Sequence, residues 1–440
     1  MRAGTVPVPR APVAPGATRH SPDGGDSPRA ALLTRTVAVA TVGLTGLRVP
    51  LPQGVVPGLV VAVLLAPVWL PALRHYRGAR LLVALSVAAV LNGWWLHEWS
   101  AADHRVVLGL ATGNTMLLAG IVGGAGVLLW ARLHLSDAWV GVWLAAGLAG
   151  GELFQRGQWG TNPWKFAFVV PVALLVLSLA RMTRQRVVEM GMLLALGVVS
   201  ILQDSRSAFA IFALTATLIL WQIVPVPVST RRHSVLRDVR VMVLLALVAG
   251  AVYNAGTALL LEGSLGSAAQ QRSEQQIQQS GSLLLGGRPE LAATAALMRA
   301  RPEGFGPGTI ATPTDVVVAK TGMESIGYDT GNGYVERFLF GSQIRLHSVT
   351  GELWAYFGIA GLVLAVAVLV VLVAALASAL SVRAASGVVL WLTCLTAWNA
   401  FFGPLYGSAA ALLTTLGLVL VRRDTDAAAR LTAGSGVRTP

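Results

Sequence analysis

The stretch that decides the fold is residues 358–380, GIAGLVLAVAVLVVLVAALASAL, which carries no charge over 23 positions. About 20 apolar residues in a helix cross the hydrocarbon core of a bilayer. Lipid offers peptide groups no hydrogen-bond partner, so a chain that crosses it must satisfy its own backbone, as a helix does. The stretch therefore predicts a membrane-spanning helix.

The whole composition agrees with this prediction. Hydrophobic residues make up 55% of the 440 residues and charged residues 12%, whereas soluble domains have about 45–50% and about 25%. This excludes a water-soluble fold. The other membrane architecture, a closed barrel, would show short alternating strands instead of long apolar runs.

Uncharged runs between Arg clusters predict an all-α polytopic membrane protein with about twelve spans, with counts of ten and eleven left open. The predicted spans lie near 31–47, 56–73, 81–97, 106–130, 138–152, 166–181, 187–203, 207–224, 241–261, 352–379, 387–403 and 407–421.

Basic residues predict the orientation, because they are retained on the cytoplasmic side. With both termini in the cytoplasm, the inner segments hold 21 basic and 7 acidic residues, and the outer segments hold 12 and 13. The net charge of +13 is thus a product of topology. We expect a multi-pass protein of the cytoplasmic membrane, with the lipid bilayer as a partner and no nucleic acid, because no nucleic-acid-binding motif accompanies the charge.

The predicted spans and orientation divide the chain into five segments. They are a disordered cytoplasmic tail at 1–30, an N-terminal bundle of about nine spans at 31–261, a large extracytoplasmic loop at 262–350, C-terminal spans at 351–421 and a cytoplasmic tail at 422–440. The only cysteine, Cys394, falls within a predicted span. This excludes a disulfide framework and a cysteine-based metal site.

The large loop is far longer than an ordinary connection, which indicates a function. Residues 289–300 have one apolar helical face, and the glycines of the following segment, Gly304, Gly306 and Gly308, predict a tight turn.

Residues in the loop and just after it resemble motifs of a known family. Gly287-Arg288, then Arg301-Pro302-Glu303-Gly304-Phe305-Gly306-Pro307-Gly308, then His347-Ser348 and Gly358-Ile359-Ala360-Gly361 stand in the order found in the bacterial O-antigen ligase and O-antigen polymerase family. Ser205-Arg206-Ser207 is similar to a further element of that family. Ser348 stands where Asn is common, and Gly351-Glu352 interrupt residues that are usually apolar, so we expect different acceptor contacts.

The resemblance implies glycosyl transfer at the outer face. A glycan held on a polyprenyl diphosphate would move to the hydroxyl of an acceptor glycan or another cell-envelope acceptor, and the lipid diphosphate would leave. Exopolysaccharide polymerisation and transfer to an envelope acceptor both stay open. An in-line displacement would invert the anomeric carbon.

Three residues are the main candidates. Arg206 and Arg288 would bind the donor diphosphate, because a guanidinium keeps its charge at any relevant pH and offers a fork of donors. His347 would take the acceptor proton, as a side chain with a pKa near neutrality does. Secondary candidates are Arg345 and Arg337 in the loop and Glu352 just after it.

No metal or other cofactor is expected. Metal-dependent lipid-linked glycosyltransferases of the other large membrane superfamily resemble one another in acidic residues of the first outer loop, and residues 48–55 here contain no acid. We therefore predict that arginines take the place of a cation.

Other interpretations stay open. Arg206 could extend to the membrane interface or pair with Asp204, and Arg288 could be a surface residue at a helix start. A polysaccharide-precursor flippase or another polytopic transporter would also fit about twelve spans, but it predicts charges at mid-membrane depth. A non-catalytic envelope scaffold would tolerate loss of His347.

Overall fold

A computed structural model of the chain describes residues 28–155, 162–223, 288–381 and 383–423, with four single residues besides: Gly250, Gln270, Gln271 and Glu274. About 79% of the structure is helical, and the described residues form no β-strand. Their α-helices are α1 (Pro28–Gly46), α2 (Pro57–Leu64), α3 (Ala66–Ala72), α4 (Ala79–Ser100), α5 (Leu108–Ala131), α6 (Asp137–Phe154), α7 (Val169–Met182), α8 (Arg186–Leu202), α9 (Arg206–Ile223), α10 (Glu290–Ala300), α11 (Pro313–Glu324), α12 (Val349–Ser381), α13 (Gly387–Phe402) and α14 (Leu405–Val419).

Five helical segments of the described ranges are long and apolar enough to cross a membrane: Ala79–Ser100, Leu108–Ala131, Trp164–Met182, Arg206–Ile223 and Val349–Ser381. The prediction of an all-α protein with membrane-length helices is confirmed in this form. The count of about twelve and the orientation of the termini stay predictions. The predicted span 241–261, the loop residues 262–287 and most of both predicted tails lie outside the described residues, apart from the single residues named above.

The predicted span at 56–73 is bent rather than straight. α2 and α3 meet at an angle of 79°, and Pro67 lies in the first turn of α3. Proline has no N–H to continue the ladder of helical hydrogen bonds, so it favours a new helix start there. The pair counts as a sixth candidate span only if the bent helices are taken as one.

Glycines on α5 let it pack at the centre of the bundle. A Cβ on Gly123 would lie 2.7 Å from Ala62 Cβ of α2, and one on Gly124 would lie 2.5 Å from Leu413 Cδ1 of α14. Small residues allow this close approach of helices. Consequently α5 is buried over most of its length and contacts both α2 and α14.

Contacts between helix ends define two sides of the bundle. At one end, the Glu189 carboxylate in the first turn of α8 accepts a hydrogen bond from the backbone N–H of Gly387, where α13 begins. At the other end of α13, Ala400 O accepts a hydrogen bond from Ser348 at the start of α12. We call the end that carries residues 288–348 the loop side and the other end the opposite side.

α12 is broken by a glycine close to the loop side. Gly358 has φ 62° and ψ −150°, a conformation that only glycine adopts readily. The carbonyl oxygen of Phe357, just before the break, accepts a hydrogen bond of 2.8 Å from the Asn92 side chain of α4. The first segment, 349–357, is buried within the protein, and the second, 359–381, provides the long apolar run.

Candidate functional site

The glycine-rich turn holds the loop against the bundle. Gly304 and Gly306 have φ values of 94° and 98°, which L side chains rarely adopt. A Cβ on Gly304 would also lie 2.6 Å from the carbonyl oxygen of Trp354. The backbone N–H groups of Phe305 and Gly306 both donate to the carbonyl oxygen of Ala355 at 2.9 Å. The turn therefore docks directly on the buried first segment of α12.

A cluster of polar side chains fixes the same turn to the end of α4. The Arg301 guanidinium donates to Asp103 Oδ2 at 2.7 Å, to Ser100 Oγ at 3.0 Å and to the carbonyl oxygen of Gly304 at 3.0 Å. Arg301 holds the pKa of Asp103 below its usual value. The side chain of His104 is 5% exposed. Its Nδ1 lies 2.6 Å from Asp103 Oδ1, and its Nε2 lies 3.0 Å from Asp315 Oδ2. We call these side chains the Arg301 cluster, and its contacts are internal to the fold.

His347 lies where the chain leaves the loop and enters α12. Its φ is 48°, in the left-handed region that a residue with a Cβ adopts at a cost. Its backbone N–H donates to Glu352 Oε1 at 3.1 Å, and Glu352 Oε2 accepts from the N–H of Leu405 at 2.7 Å. The buried carboxylate of Glu352 thus holds the His347 backbone and the start of α14 together.

Glu352, a secondary candidate, and Ser348 are both buried, at 2% exposure each. Ser348 Oγ donates to the carbonyl oxygen of Ala400 at 2.9 Å and accepts from the N–H of Gly351 at 3.1 Å. Ser348 therefore caps α12 and joins it to α13, and Glu352 accepts a hydrogen bond from the backbone of His347.

The imidazole of His347 faces a carboxylate from the other end of the loop. Nδ1 of His347 lies 3.7 Å from Oε1 of Glu290, in the first turn of α10. The same oxygen of Glu290 accepts a hydrogen bond from the Tyr334 hydroxyl. Burial and the charge of Glu290 both raise the pKa of Tyr334, so this phenol keeps its proton and remains a donor. Together these side chains form a His347–Glu290–Tyr334 group.

Burial, and then the charges nearby, set the protonation state of His347. Burial lowers the pKa of His347 below 6.5, Glu290 opposes this effect, and the positive charges of Arg288 and Arg345 add to it. The imidazole is therefore neutral near pH 7. Its Nδ1 is buried and makes no hydrogen bond with the described residues. A neutral imidazole beside a carboxylate has the composition of a general base.

Arg288 lies on an aromatic surface at the end of α13. Its guanidinium carbon is 5.9 Å from the ring centres of both Trp398 and Phe402. The two rings lie one helical turn apart, with centroids separated by 4.5 Å. Cation–π contacts hold a guanidinium in place while leaving its N–H donors to bind other groups. Arg288 can therefore offer an anion a positioned positive charge next to His347.

The structure brings together only part of the predicted set. Arg288, Arg345 and Glu352 surround His347, and Arg345 is exposed. Arg206 begins α9 on the loop side, and its Nε lies 3.8 Å from Asp204 Oδ1. Arg337 is exposed on the helical turn Val335–Leu339. Neither Arg206 nor Arg337 is among the charges that act on His347 within the described residues.

Sequence reasoning missed Glu290 and Tyr334. Glu290 follows Arg288-Pro289 at the start of a predicted helix, and an acid in that first turn next to a candidate Arg was a usable signal. Nothing local marks Tyr334, which reaches Glu290 only through the folding of residues 301–333. Trp398 and Phe402 were detectable as an aromatic pair at helical spacing near the end of a predicted span.

Among the described residues, no group of three His, Cys, Asp or Glu side chains is arranged to hold a metal ion. No protein-family model, curated protein or solved structure matches this chain.

Proposed function

We propose that this chain is a membrane glycosyltransferase of the ligase or polymerase kind. It transfers or polymerises a glycan from a polyprenyl-diphosphate-linked donor onto an acceptor sugar hydroxyl at the outer face of the cytoplasmic membrane. One observation carries the proposal: the His347 imidazole, whose pKa is lowered, lies beside the Glu290 carboxylate and within the field of Arg288 and Arg345. This site lies directly before the long apolar helix α12.

The acceptor step uses the neutral imidazole. His347 removes the proton from the acceptor hydroxyl as its oxygen bonds to the anomeric carbon of the donor sugar. The imidazolium that forms would be unfavourable in the field of Arg288 and Arg345, and the nearby carboxylate of Glu290 offsets that cost. Tyr334 holds one oxygen of Glu290, which keeps the carboxylate near Nδ1 of His347. Glu290 and Tyr334 are thus positioning residues.

The donor step uses the arginines. The bond between the anomeric carbon and the diphosphate oxygen breaks, and its electron pair leaves with the lipid diphosphate. Arg288, which lies over Trp398 and Phe402, stabilises the charge that develops on this leaving group. Arg345 adds a second positive charge from the exposed side, and Arg206, on the same side of the bundle, is the proposed contact for the far end of the diphosphate.

The proposal includes three properties from the sequence. The reaction is independent of a metal, it inverts the anomeric configuration, and it serves cell-envelope or exopolysaccharide synthesis. The loop side would face outward, which places the donor glycan in the aqueous space and the polyprenyl chain in the bilayer. This arrangement follows from the excess of basic residues in the segments on the opposite side.

The experiment that tests the proposal uses the purified full chain in liposomes. A lipid-diphosphate-linked oligosaccharide is the donor, EDTA is present, and His347→Ala and Arg288→Ala are compared with the wild type. Arg299→Ala, at the exposed end of α10, is the matched control. Since a general base contributes roughly 10²–10⁴-fold, we expect a loss of that size for His347→Ala and full activity for the control.

Product analysis separates the alternatives. A ladder of products indicates polymerisation, a single transferred unit indicates ligation, and retention of anomeric configuration would contradict the in-line mechanism. If His347→Ala transfers as fast as wild type, or no transfer occurs with any cation, the assignment is wrong. A lipid-linked-oligosaccharide flipping assay on the same liposomes then tests the transporter alternative.

A further inference from the structure

A cavity of about 260 Å³ lies on the opposite side of the bundle, far from His347. The ends of α5, α7, α12 and α14 and the starts of α6 and α13 surround it. Small side chains line much of its wall: Ala138, Ser178, Ala375, Ala379, Ala384, Ala385 and Ser386. A water molecule occupies about 30 Å³ in the liquid, so the cavity has room for a group of several heavy atoms.

The charged part of the wall is basic. Arg132, Arg181 and Arg422 line the cavity, and Asp137 is the only acid among its described lining residues, which leaves a net charge of +2. Such a concave, basic surface attracts anions. The helix α13 also begins at the cavity, but the Glu189 carboxylate already accepts from the N–H of its first residue, so the basic field comes from the arginines.

Two of the arginines differ in what they can bind. The Arg132 side chain is nearly buried: it donates through Nε and Nη2 to Asp137 at 2.8 and 3.1 Å, and through Nη1 to the carbonyl oxygens of Gly417 and Leu420. Arg132 therefore supplies fixed structure. Arg181, in the last turn of α7, is 44% exposed, and its Nη1 lies 3.8 Å from Glu189 Oε1. That distance is too long for a hydrogen bond, so the Arg181 guanidinium can turn toward a ligand.

A hydroxyl lies one helical turn from Arg181. Ser178 is 1% exposed and lines the cavity, and its Oγ makes no hydrogen bond with any described residue. That oxygen is covered, however, and packs against Gly141 of α6. The hydroxyl that a phosphate oxygen in the cavity can reach is that of Ser386, at the start of α13.

From these observations we infer that the cavity binds a phosphate group through Arg181, with Ser386 as a hydroxyl donor, while Arg132, paired with Asp137, keeps the wall in place. The phosphate comes either from an anionic lipid headgroup or from free inorganic phosphate, since both present the same oxygens. The inference is independent of the proposed glycosyl transfer, because it concerns the other end of the bundle.

The test is calorimetric titration of the full chain in neutral detergent. One arm adds inorganic phosphate, and the other adds micelles that contain phosphatidylglycerol, with phosphatidylcholine micelles as the comparison. Arg181→Gln removes the charge, and Ala379→Leu fills the cavity without altering any charge. Arg184→Gln is the matched control, because Arg184 is exposed, lies three residues further along and does not line the cavity.

Saturable binding in either arm supports the inference if Arg181→Gln and Ala379→Leu each weaken the binding and Arg184→Gln does not. We expect a weakening of about tenfold or more, the scale of one charge-assisted hydrogen bond. The arm that responds identifies the source of the phosphate. Thermal unfolding of each variant without ligand checks that it is folded. The inference is wrong if neither arm shows saturable binding, or if folded Arg181→Gln and Ala379→Leu bind as the wild type does.

Discussion

Nδ1 of His347 lies 3.7 Å from Oε1 of Glu290, although the two residues stand at opposite ends of the described loop. Glu290 opens α10, His347 precedes α12, and Tyr334 between them donates to the same carboxylate oxygen. This pairing gives the candidate base a neighbour whose charge can be removed without altering the imidazole itself.

The pH dependence of transfer tests that pairing. Because the pKa of His347 is lowered, we expect the acidic limb of the rate–pH profile to have its midpoint below pH 6.5. The charge of Glu290 raises this pKa, so Glu290→Gln moves the limb to lower pH. The charge of Arg345 lowers it, so Arg345→Gln moves the limb to higher pH by a smaller amount, since Arg345 is exposed. Arg299→Gln leaves the limb in place, and shifts of equal sign would contradict the assignment.

Substitution of Trp398 tests whether cation–π contacts position Arg288. Trp398→Leu removes one ring beneath the guanidinium but keeps an apolar side chain on α13. A cation–π contact at a partly exposed site contributes about 0.5–1 kcal/mol, so we expect donor KM to rise roughly two- to fivefold with a smaller change in kcat. Trp139→Leu, an exposed Trp on the opposite side, serves as control. An unchanged donor KM in Trp398→Leu would show that Arg288 does not depend on this surface.

Substitution of Glu352 tests whether its carboxylate holds the backbone of His347 in position. In Glu352→Gln, one carboxylate oxygen becomes an NH₂ group, which faces either the N–H of His347 or that of Leu405. Loss of a buried acceptor costs about 1–3 kcal/mol, so we expect a lower unfolding temperature in detergent and a fall in kcat larger than the change in KM. A variant that keeps wild-type stability and rate would contradict the positioning role.

The Arg301 cluster makes a prediction that does not depend on the function. Arg301→Gln removes donors to Asp103, Ser100 and Gly304. Because Asp103 is largely exposed, its ion pair contributes little, and the loss of stability comes mainly from the partly buried hydrogen bonds to Ser100 and Gly304. We expect a destabilisation of about 2 kcal/mol in reversible denaturation. Arg105→Gln, an exposed neighbour, is the control, and equal stability of both variants would show that the cluster does not hold the loop.

Substitution of Gly358 gives the sharpest test of the break in α12. A Cβ at this position would lie 2.5 Å from the carbonyl oxygen of Glu303 and 2.6 Å from Asn92 Nδ2, in a conformation that disfavours L residues. Strain of this kind costs about 1–3 kcal/mol before the clash is counted, so Gly358→Ala should lower the unfolding temperature strongly. Gly191→Ala, in open space on α8, should be neutral or stabilising. Similar effects of both substitutions would rule out the break.

Local sequence was sufficient for most helix positions. The span predicted at 81–97 corresponds to α4 (Ala79–Ser100), and the one at 207–224 to α9 (Arg206–Ile223). The reason is physical: a helix in lipid satisfies its backbone within its own segment, so a run of apolar residues defines it without reference to the rest of the chain. The glycine-rich turn was visible for a similar reason, because positive φ is a property of single residues.

Tertiary structure decided the site. It joined Glu290 and Tyr334 to His347, and it buried Ser348 and Glu352 as anchors. Arg337 is not among the charges that act on the imidazole. It also turned the apolar run that suggested a single helix into a long helix preceded by a buried segment, broken at Gly358 against Asn92 of α4. Such contacts join residues tens to hundreds of positions apart, and they depend on how helices pack. Composition and spacing determine where a helix forms, whereas packing determines which side chains meet.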